Sequence, residues 1–414
     1  NRWPMAVEAI RLLKPDFYVK GPDYRDMDSD RTGGIKAEAE AVAQVGGRLV
    51  FTNDITFSSS SIINRYTDVF PPETRRFLEE FGKRYGAEGI LKYVFGARSL
   101  KVLAVGETII DEYQYCDAIG KSSKEPTLAV RLNSVDRFAG GILAVARHLR
   151  GFCGKVGLVS ALGDPGPLDD FVQSHVGQGV TSVFIRRSGT PTIVKRRLVE
   201  RYYSYKLVEI YEMDDRGLTP DEERELCGSL EELLPEHDAV IVVDFGHGML
   251  GAKAIDLICE KSRFLAVNAQ ANAGNLAFHA ISKYPRADHV SLTEMEMRLD
   301  ARDRSVGLEH LTTRLASRMG ARTVTVTQGT RGALCYDEEK GFVQVPAVAT
   351  RVVDRVGAGD AFLSLGALCA AQGAPADIVG FVGAAAAAQA VAAMGNKEAV
   401  DPLILERHIE SLLK

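Results

Sequence analysis

The stretch VVDRVGAGDAFLSLGALCAAQG, Val352 to Gly373, sets three near-bare residues and an acid directly ahead of an apolar, helix-forming run. Gly357, Ala358 and Gly359 offer little to a core. They do expose main-chain N–H groups, because the first turn of a helix leaves its donors without internal partners and carries about half a positive charge. A phosphate can come close to such bare amides. Asp360 follows at once, placed to take a proton from an attacking hydroxyl. An anion hole beside a base is the equipment of phosphoryl transfer. The tetrapeptide alone also admits a second reading, a glycine turn in which Asp360 is simply the N-cap.

Two other glycine patterns are set aside. IGKSS (Ile119–Ser123) imitates a P-loop, but Tyr115 stands where that motif needs glycine. Gly357 and Gly359 imitate the start of a dinucleotide fingerprint. Phe362 occupies its third glycine position, and the segment comes late in the chain.

The rest of the composition narrows the classes. A length of 414 residues predicts two domains. Hydrophobic content of 46% and charged content of 25% suit a soluble globular protein. The net charge of −5 gives no basic field for nucleic acid or a membrane surface. Six scattered cysteines without a CxxC pair read as reduced thiols, which implies a cytoplasmic setting. The histidines lack metal-ligand spacing, no stretch reads as a membrane span, and the N-terminus has no signal-peptide pattern.

Along the chain, residues 1–66 alternate helix and strand in a compact α/β pattern, with MAVEAIRLLKPD and AEAEAVAQVGG as helices. Residues 67–97, opened by two prolines and rich in charge, read as a helical connector. From 98 to 414, apolar strands alternate with helices, which predicts a mostly parallel sheet covered on both faces. Segments near 111–135 and 190–213 alternate like exposed strands and read as a small accessory sheet, a lid.

Asp354 to Asp360 closely resembles the D-T-x-G-A-G-D signature of ribokinase-like (PfkB) carbohydrate kinases. Further motifs follow in the family's order. VGETIIDEYQY resembles the first strand with its substrate-binding acid, here Asp111, and FAGGILAVARHL the sugar-contacting Gly-Gly helix, here Gly140 and Gly141. VIVVDFGHGML is similar to the central strand ending in a substrate-side acid, here Asp244. VTQGTRGALCY is similar to the nucleotide-binding turn, with Thr327, Gly329 and Gly332. TEME stands in place of N-x-x-E, whose glutamate organises magnesium, here Glu296.

The resemblance covers about residues 98–414 and implies a three-layer α/β/α fold with a small β lid. It implies that Asp360 is the general base and that Gly357, Ala358 and Gly359 form the anion hole. ATP and Mg²⁺ would be used, and a homodimer would form through the lid. The implied acceptor is a sugar or sugar phosphate. A nucleoside or other small alcohol is the enzymatic alternative, and a catalytically decayed nucleotide-binding scaffold the non-enzymatic one. Departures are Arg355 for the signature threonine, Ala144 for a sugar-contacting asparagine, Thr293 for the asparagine of N-x-x-E, and NAQANAGN (Asn268–Asn275) after its strand. Lys195, Arg196 and Arg197 are either solvated strand charges or readers of an anionic group on the sugar.

LLKPDFYVKGPDY and GGRLVFTNDITFSSSSIINRY resemble the last part of a Rossmann-like cytidylyltransferase domain. The resemblance implies phosphate contacts from Lys20, Ser59 and Ser60, in a turn shared with Gly21, Asp23 and Tyr24 and a serine cluster at Ser58–Ser61. The early H-x-G-H-type motif of that family is not in this sequence. A sugar kinase joined to a nucleotidyltransferase resembles the bifunctional enzymes that make nucleotide-activated heptose, with the two halves in reversed order.

Overall fold

The computed structural model describes residues 6–20, 34–51, 70–276 and 278–414. It divides into two compact units, Asn1–Val69 and Phe70–Lys414.

In the first unit, strands β1 (Phe17–Lys20) and β2 (Arg48–Phe51) pair in parallel. Helices Val7–Leu13 and Gly34–Gln44 accompany them, and Ile10, Ala41 and Val42 form a small core. The Lys20 ammonium pairs with Glu38 at 2.7 Å. Ser59 and Ser60, the other two expected phosphate contacts, lie outside the described residues, as do Gly21, Asp23 and Tyr24.

Among the described residues, the second unit holds thirteen strands in two sheets. Nine form the central sheet: β3 (Lys101–Gly106), β6 (Lys155–Leu162), β7 (Val180–Arg186), β10 (Ala239–Asp244), β11 (Leu265–Ala269), β12 (His289–Thr293), β13 (Thr323–Thr327), β14 (Ala333–Asp337) and β15 (Gly341–Val345). Their order is β15-β14-β13-β12-β11-β10-β3-β6-β7. Every pairing is parallel except those of β14 with β13 and β15.

Residue alternation explains the three layers. In β3, Val102 and Ala104 join one core while Leu103 and Val105 join the other. β10 does the same with Ile241 and Val243 against Val240 and Val242. Successive side chains point to opposite faces, so strands apolar at every position need helices on both sides. One face is covered by helices including Ile142–Arg150, Ala358–Ala371 and Ala376–Ala390, and the other by Pro220–Leu233, Ala252–Lys261 and Leu308–Met319.

The segment expected as a connector is the helix Pro72–Gly96, bent at Gly86, where φ is +63°. Leu78, Phe81, Ile90, Leu91 and Val94 bury themselves in the first core, so this helix is built into the second unit.

The remaining four strands form the lid: β4 (Thr108–Lys121), β5 (Leu128–Gly141), β8 (Ile193–Glu200) and β9 (Lys206–Glu212), in the order β5-β4-β8-β9. The lid starts earlier and ends later than the expected 111–135. The root of β4, Thr108 to Tyr113, is buried at every position while its tip is exposed. A fully buried root carries no alternation and reads like a core strand. Only Glu107 separates β3 from β4, and β5 runs directly into the helix at Ile142.

Candidate active site

The site gathers where the lid meets the ends of the central strands. At its floor the helix Ala358–Ala371 begins after Gly357, which is the N-cap in a left-handed conformation with φ +82°. No side chain caps this end. That decides between the two readings of the tetrapeptide: Asp360 lies inside the first turn and is not the cap. Gly357 has to be bare because of its positive φ, and because a Cβ there would run into the Asn396 amide oxygen. Gly359 opens onto empty space, with nothing within 4 Å of where a Cβ would stand. At the helix start, then, the Gly359 side is open while the Gly357 side is closed by Asn396.

Asp360 is 7% exposed. Burial raises its pKa to about 7, the Asp111 charge adds to the rise, and the Lys195 ammonium opposes it. Glu296 contributes a smaller repulsion. A carboxyl poised near neutrality can take a proton from an alcohol, and the neighbouring amides can hold the anion that the alcohol attacks.

Asp111 projects from the lid root. One oxygen accepts from Arg197 and the other from Asn396 Nδ2 at 3.3 Å. Gly140 lies opposite Ile109 on β5, and a Cβ on it would strike the Asp111 carboxylate. Its bareness thus serves the acid's position. Gly141 has φ +55°, and a Cβ there would meet the Glu107 carbonyl as the chain turns into its helix.

Asp244, expected to face substrate, is fully buried with its oxygens taken inside the protein. Tyr284 donates to it at 2.5 Å, Lys283 pairs at 2.5 Å, and the Gly246 amide donates at 3.0 Å. It organises the turn after β10. Glu107 completes that turn, accepting from the amides of Phe245 at 2.9 Å and His247 at 3.0 Å. Burial, then repulsion from Asp244, raises the Glu107 pKa to about 7.

The expected nucleotide turn joins β13 to β14. Thr327 donates its hydroxyl to the Leu292 carbonyl at 3.4 Å. Gly329 has φ +61° with open space beyond it, and Gly332 has φ +86° where a Cβ would strike the Val345 carbonyl. The turn thus keeps an open side at Gly329 and a packed side at Gly332.

Glu296 belongs to a capping box: its carboxylate accepts from the Thr293 amide at 2.8 Å, and Thr293 Oγ1 accepts from the Glu296 amide at 3.2 Å. Threonine in place of the family's asparagine therefore keeps the cap. The other Glu296 oxygen accepts from the Ala271 amide at 3.0 Å. Among the described residues, no group of three or more acidic, histidine or cysteine side chains forms a metal cage. A single buried carboxylate near Asp360 fits Mg²⁺, which keeps several waters and takes its remaining oxygens from phosphates.

Three sets of contacts had no signal in the sequence. Asn396 touches both Asp111 and the Gly357 position from a turn far along the chain. Arg197 is the partner of Asp111. Asp354, at the head of the signature, accepts from Tyr113 at 2.5 Å and pairs with Lys206 at 2.6 Å, both residues of the lid. Of the departures, Ala144 is buried in its helix and Arg355 is exposed.

A model of the pfkB family carbohydrate kinases matches residues 99–402. The chain is 27% identical over 266 residues to the bifunctional protein HldE of Marinomonas sp., covering 64% of this chain and 54% of that protein. It is 25% identical over 308 residues to the bifunctional protein HldE of Gluconacetobacter diazotrophicus, covering 73% and 62%. The chain thus spans little more than half the length of these relatives. Among solved structures, phosphofructokinase-2 of Escherichia coli superposes with a TM-score of 0.60 at 16% identity, covering 76% of this chain and all of that one. Ribokinase of Thermotoga maritima gives 0.55 at 18% identity, covering 76% and 99%. The fold of the second unit is ribokinase-like.

Proposed function

The chain belongs to the pfkB family of carbohydrate kinases, and on that premise we propose that it transfers the γ-phosphoryl group of ATP to a hydroxyl of a sugar or sugar phosphate. The observation that carries this reading is the buried, near-neutral Asp360 carboxyl beside an uncapped helix start with open space over Gly359.

In this reading ATP lies over the turn Thr327–Gly332 with its terminal phosphate at the amides of Gly357, Ala358 and Gly359. The acceptor lies under the lid, held by Asp111. Asp360 takes the proton of the attacking hydroxyl, whose oxygen bonds to the γ-phosphorus as the bond to ADP breaks. The amides hold the charge on the transferring group. Glu296 would hold the water shell of Mg²⁺, which when bound neutralises phosphate charge. Lid strands over the cleft exclude water that would otherwise accept the phosphoryl group.

The HldE relatives, and the resemblance of residues 1–66 to a nucleotidyltransferase, support a finer version. The acceptor is then a heptose phosphate, and the product feeds nucleotide activation on the same polypeptide. The outer lid face supports a homodimer: Val135, Val208 and Ile210 are exposed there.

The test is ADP release with Mg·ATP across neutral sugars, sugar phosphates including heptose 7-phosphate, and nucleosides. Turnover with sugars alone supports the reading. Nucleosides as sole acceptors would replace it with a nucleoside kinase, and ATP binding without turnover on anything would replace it with a decayed scaffold. Sedimentation of wild type beside Ile210→Asp checks the dimer.

A further inference from the structure

The three consecutive cations Lys195, Arg196 and Arg197 lie on β8, and the structure gives them three different situations. Arg196 points to the outer face of the lid, where Glu112 and Glu212 hold it at 3.0 and 2.5 Å. Arg197 points into the cleft but is committed to Asp111 and, at 2.8 Å, to Glu209. Lys195, two residues from Arg197, shares its face.

Lys195 is 6% exposed. Its register neighbours are Asp111 on β4 and Tyr211 on β9. The ammonium stands 5.1 Å from the centre of the Tyr211 ring and 5.7 Å from that of Phe245. Asp111, the carboxylate beside it, gives one oxygen to Arg197 and the other to Asn396. Among the described residues no carboxylate or carbonyl takes a hydrogen bond or ion pair from Lys195.

An ammonium has three donors and a full charge, and burying it without an acceptor is costly. Aromatic faces recover only about 0.5–2 kcal/mol of that cost. Burial accordingly lowers the Lys195 pKa, against the pull of Asp111. A buried cation in a substrate cleft, with its neighbouring acid already bound elsewhere, is a vacancy for an anion.

Position favours one source of that anion. Asp111 joins two sides of the cleft. Through Asn396 it connects to Gly357 and the anion hole, and on its lid side stand Arg197 and Lys195. An acceptor bound across Asp111 with its reacting hydroxyl at Asp360 presents its other end to the lid.

We propose that Lys195 is a specificity residue that binds a negatively charged substituent of the acceptor, so that the acceptor is an anionic sugar. This rests on the kinase reading above. The anion is a phosphate ester or a sugar-acid carboxylate, and the two are separated by testing both.

The experiment compares wild type, Lys195→Met and Lys195→Arg, each checked for folding by circular dichroism and thermal melting. kcat and KM are measured with Mg·ATP for fructose and fructose 6-phosphate, heptose and heptose 7-phosphate, and glucose and gluconate. Calorimetric binding of the same pairs is measured in the presence of AMP-PNP. The expected result is a wild-type preference for one anionic class over its neutral parent. Lys195→Met should shrink that preference about 30-fold, mainly through KM, as loss of a charge-assisted hydrogen bond does. Lys195→Arg should restore most of it. A preference unchanged in Lys195→Met overturns the proposal. So does an equal fall in kcat for every acceptor at constant KM, which would put Lys195 on the transferring phosphoryl group. If no acceptor is turned over, the kinase reading fails and the calorimetry still decides: loss of anionic preference in Lys195→Met supports the anion site. A wild type that binds both members of every pair equally, or neither, overturns it.

Discussion

Tyr113, in the lid, donates its phenolic proton to Asp354, at the head of the signature loop, across 2.5 Å. Lys206, on the far edge strand of the lid, pairs with the other oxygen at 2.6 Å. The amides of Val356 and Gly395 donate to the same carboxylate at 3.2 and 3.0 Å. One buried acid therefore ties two lid strands to the loop that leads into the helix Ala358–Ala371.

Burial pushes the Asp354 pKa up, but the bonds from Lys206 and Tyr113 outweigh it and leave the carboxyl below its ordinary value. A depressed folded pKa contributes stability that is present above about pH 4 and lost as pH falls through the folded value. Tyr113→Phe should cost about 1–3 kcal/mol by leaving an acceptor short of a donor. Hydrogen exchange should accelerate together in 206–212 and 354–357. Acceleration confined to the lid would show that the clasp does not couple the two.

Asp360→Asn should keep the fold and ATP affinity while lowering kcat by about 10²-fold or more. With the wild-type carboxyl near pH 7, kcat/KM should fall below about that pH as the base is protonated. The stability sign is the opposite of Asp354. A raised folded pKa means the folded state holds the proton more tightly, so stability is full below about pH 4 and declines as pH rises to about 7, by up to about 4 kcal/mol. Asparagine carries no charge to bury. The melting temperature of Asp360→Asn should exceed wild type at pH 8 by more than at pH 5, and equal gaps at both would contradict the buried-base assignment.

Gly357→Ala and Gly359→Ala should part company. Alanine at 357 must hold a positive φ, at about 1–2 kcal/mol, and displace Asn396 from beside Asp111. It should lower both the melting temperature and acceptor affinity. Alanine at 359 meets no protein atom and should leave stability unchanged or raised by about 0.5–1 kcal/mol. Its methyl group would intrude on the phosphoryl hollow, so kcat should drop about tenfold or more in a fully folded protein. Normal turnover by Gly359→Ala would place the phosphoryl group elsewhere.

Glu296→Gln can keep the capping box through its amide oxygen, but it turns an NH2 donor toward the Ala271 amide and should cost about 1–3 kcal/mol of stability. It removes the charge offered to the metal's waters. The Mg²⁺ concentration for half-maximal rate should rise about tenfold, as for loss of a partner in a metal's outer shell. An unchanged Mg²⁺ titration would take Glu296 out of the metal's surroundings.

Local chemistry made much of this protein readable in the sequence. The unbroken apolar runs Val102–Val105 of β3 and Ala239–Val243 of β10 announce a sheet covered on both faces, because alternate side chains must each find a core. Gly-Ala-Gly-Asp announces a helix start free of a side-chain cap with an acid in its first turn, because those features need only consecutive residues. The tertiary structure decided the rest. Whether Asp360 or Gly357 caps the helix turned on a φ of +82° at Gly357, where Asn396 leaves no room for a Cβ. Strand register sets Asp111 opposite Lys195, yet Arg197, two residues further along, takes its carboxylate, and the clasp on Asp354 joins residues 241 and 148 positions apart. Contacts of that kind belong to no stretch of chain: they exist only once the sheet has fixed which side chains face one another.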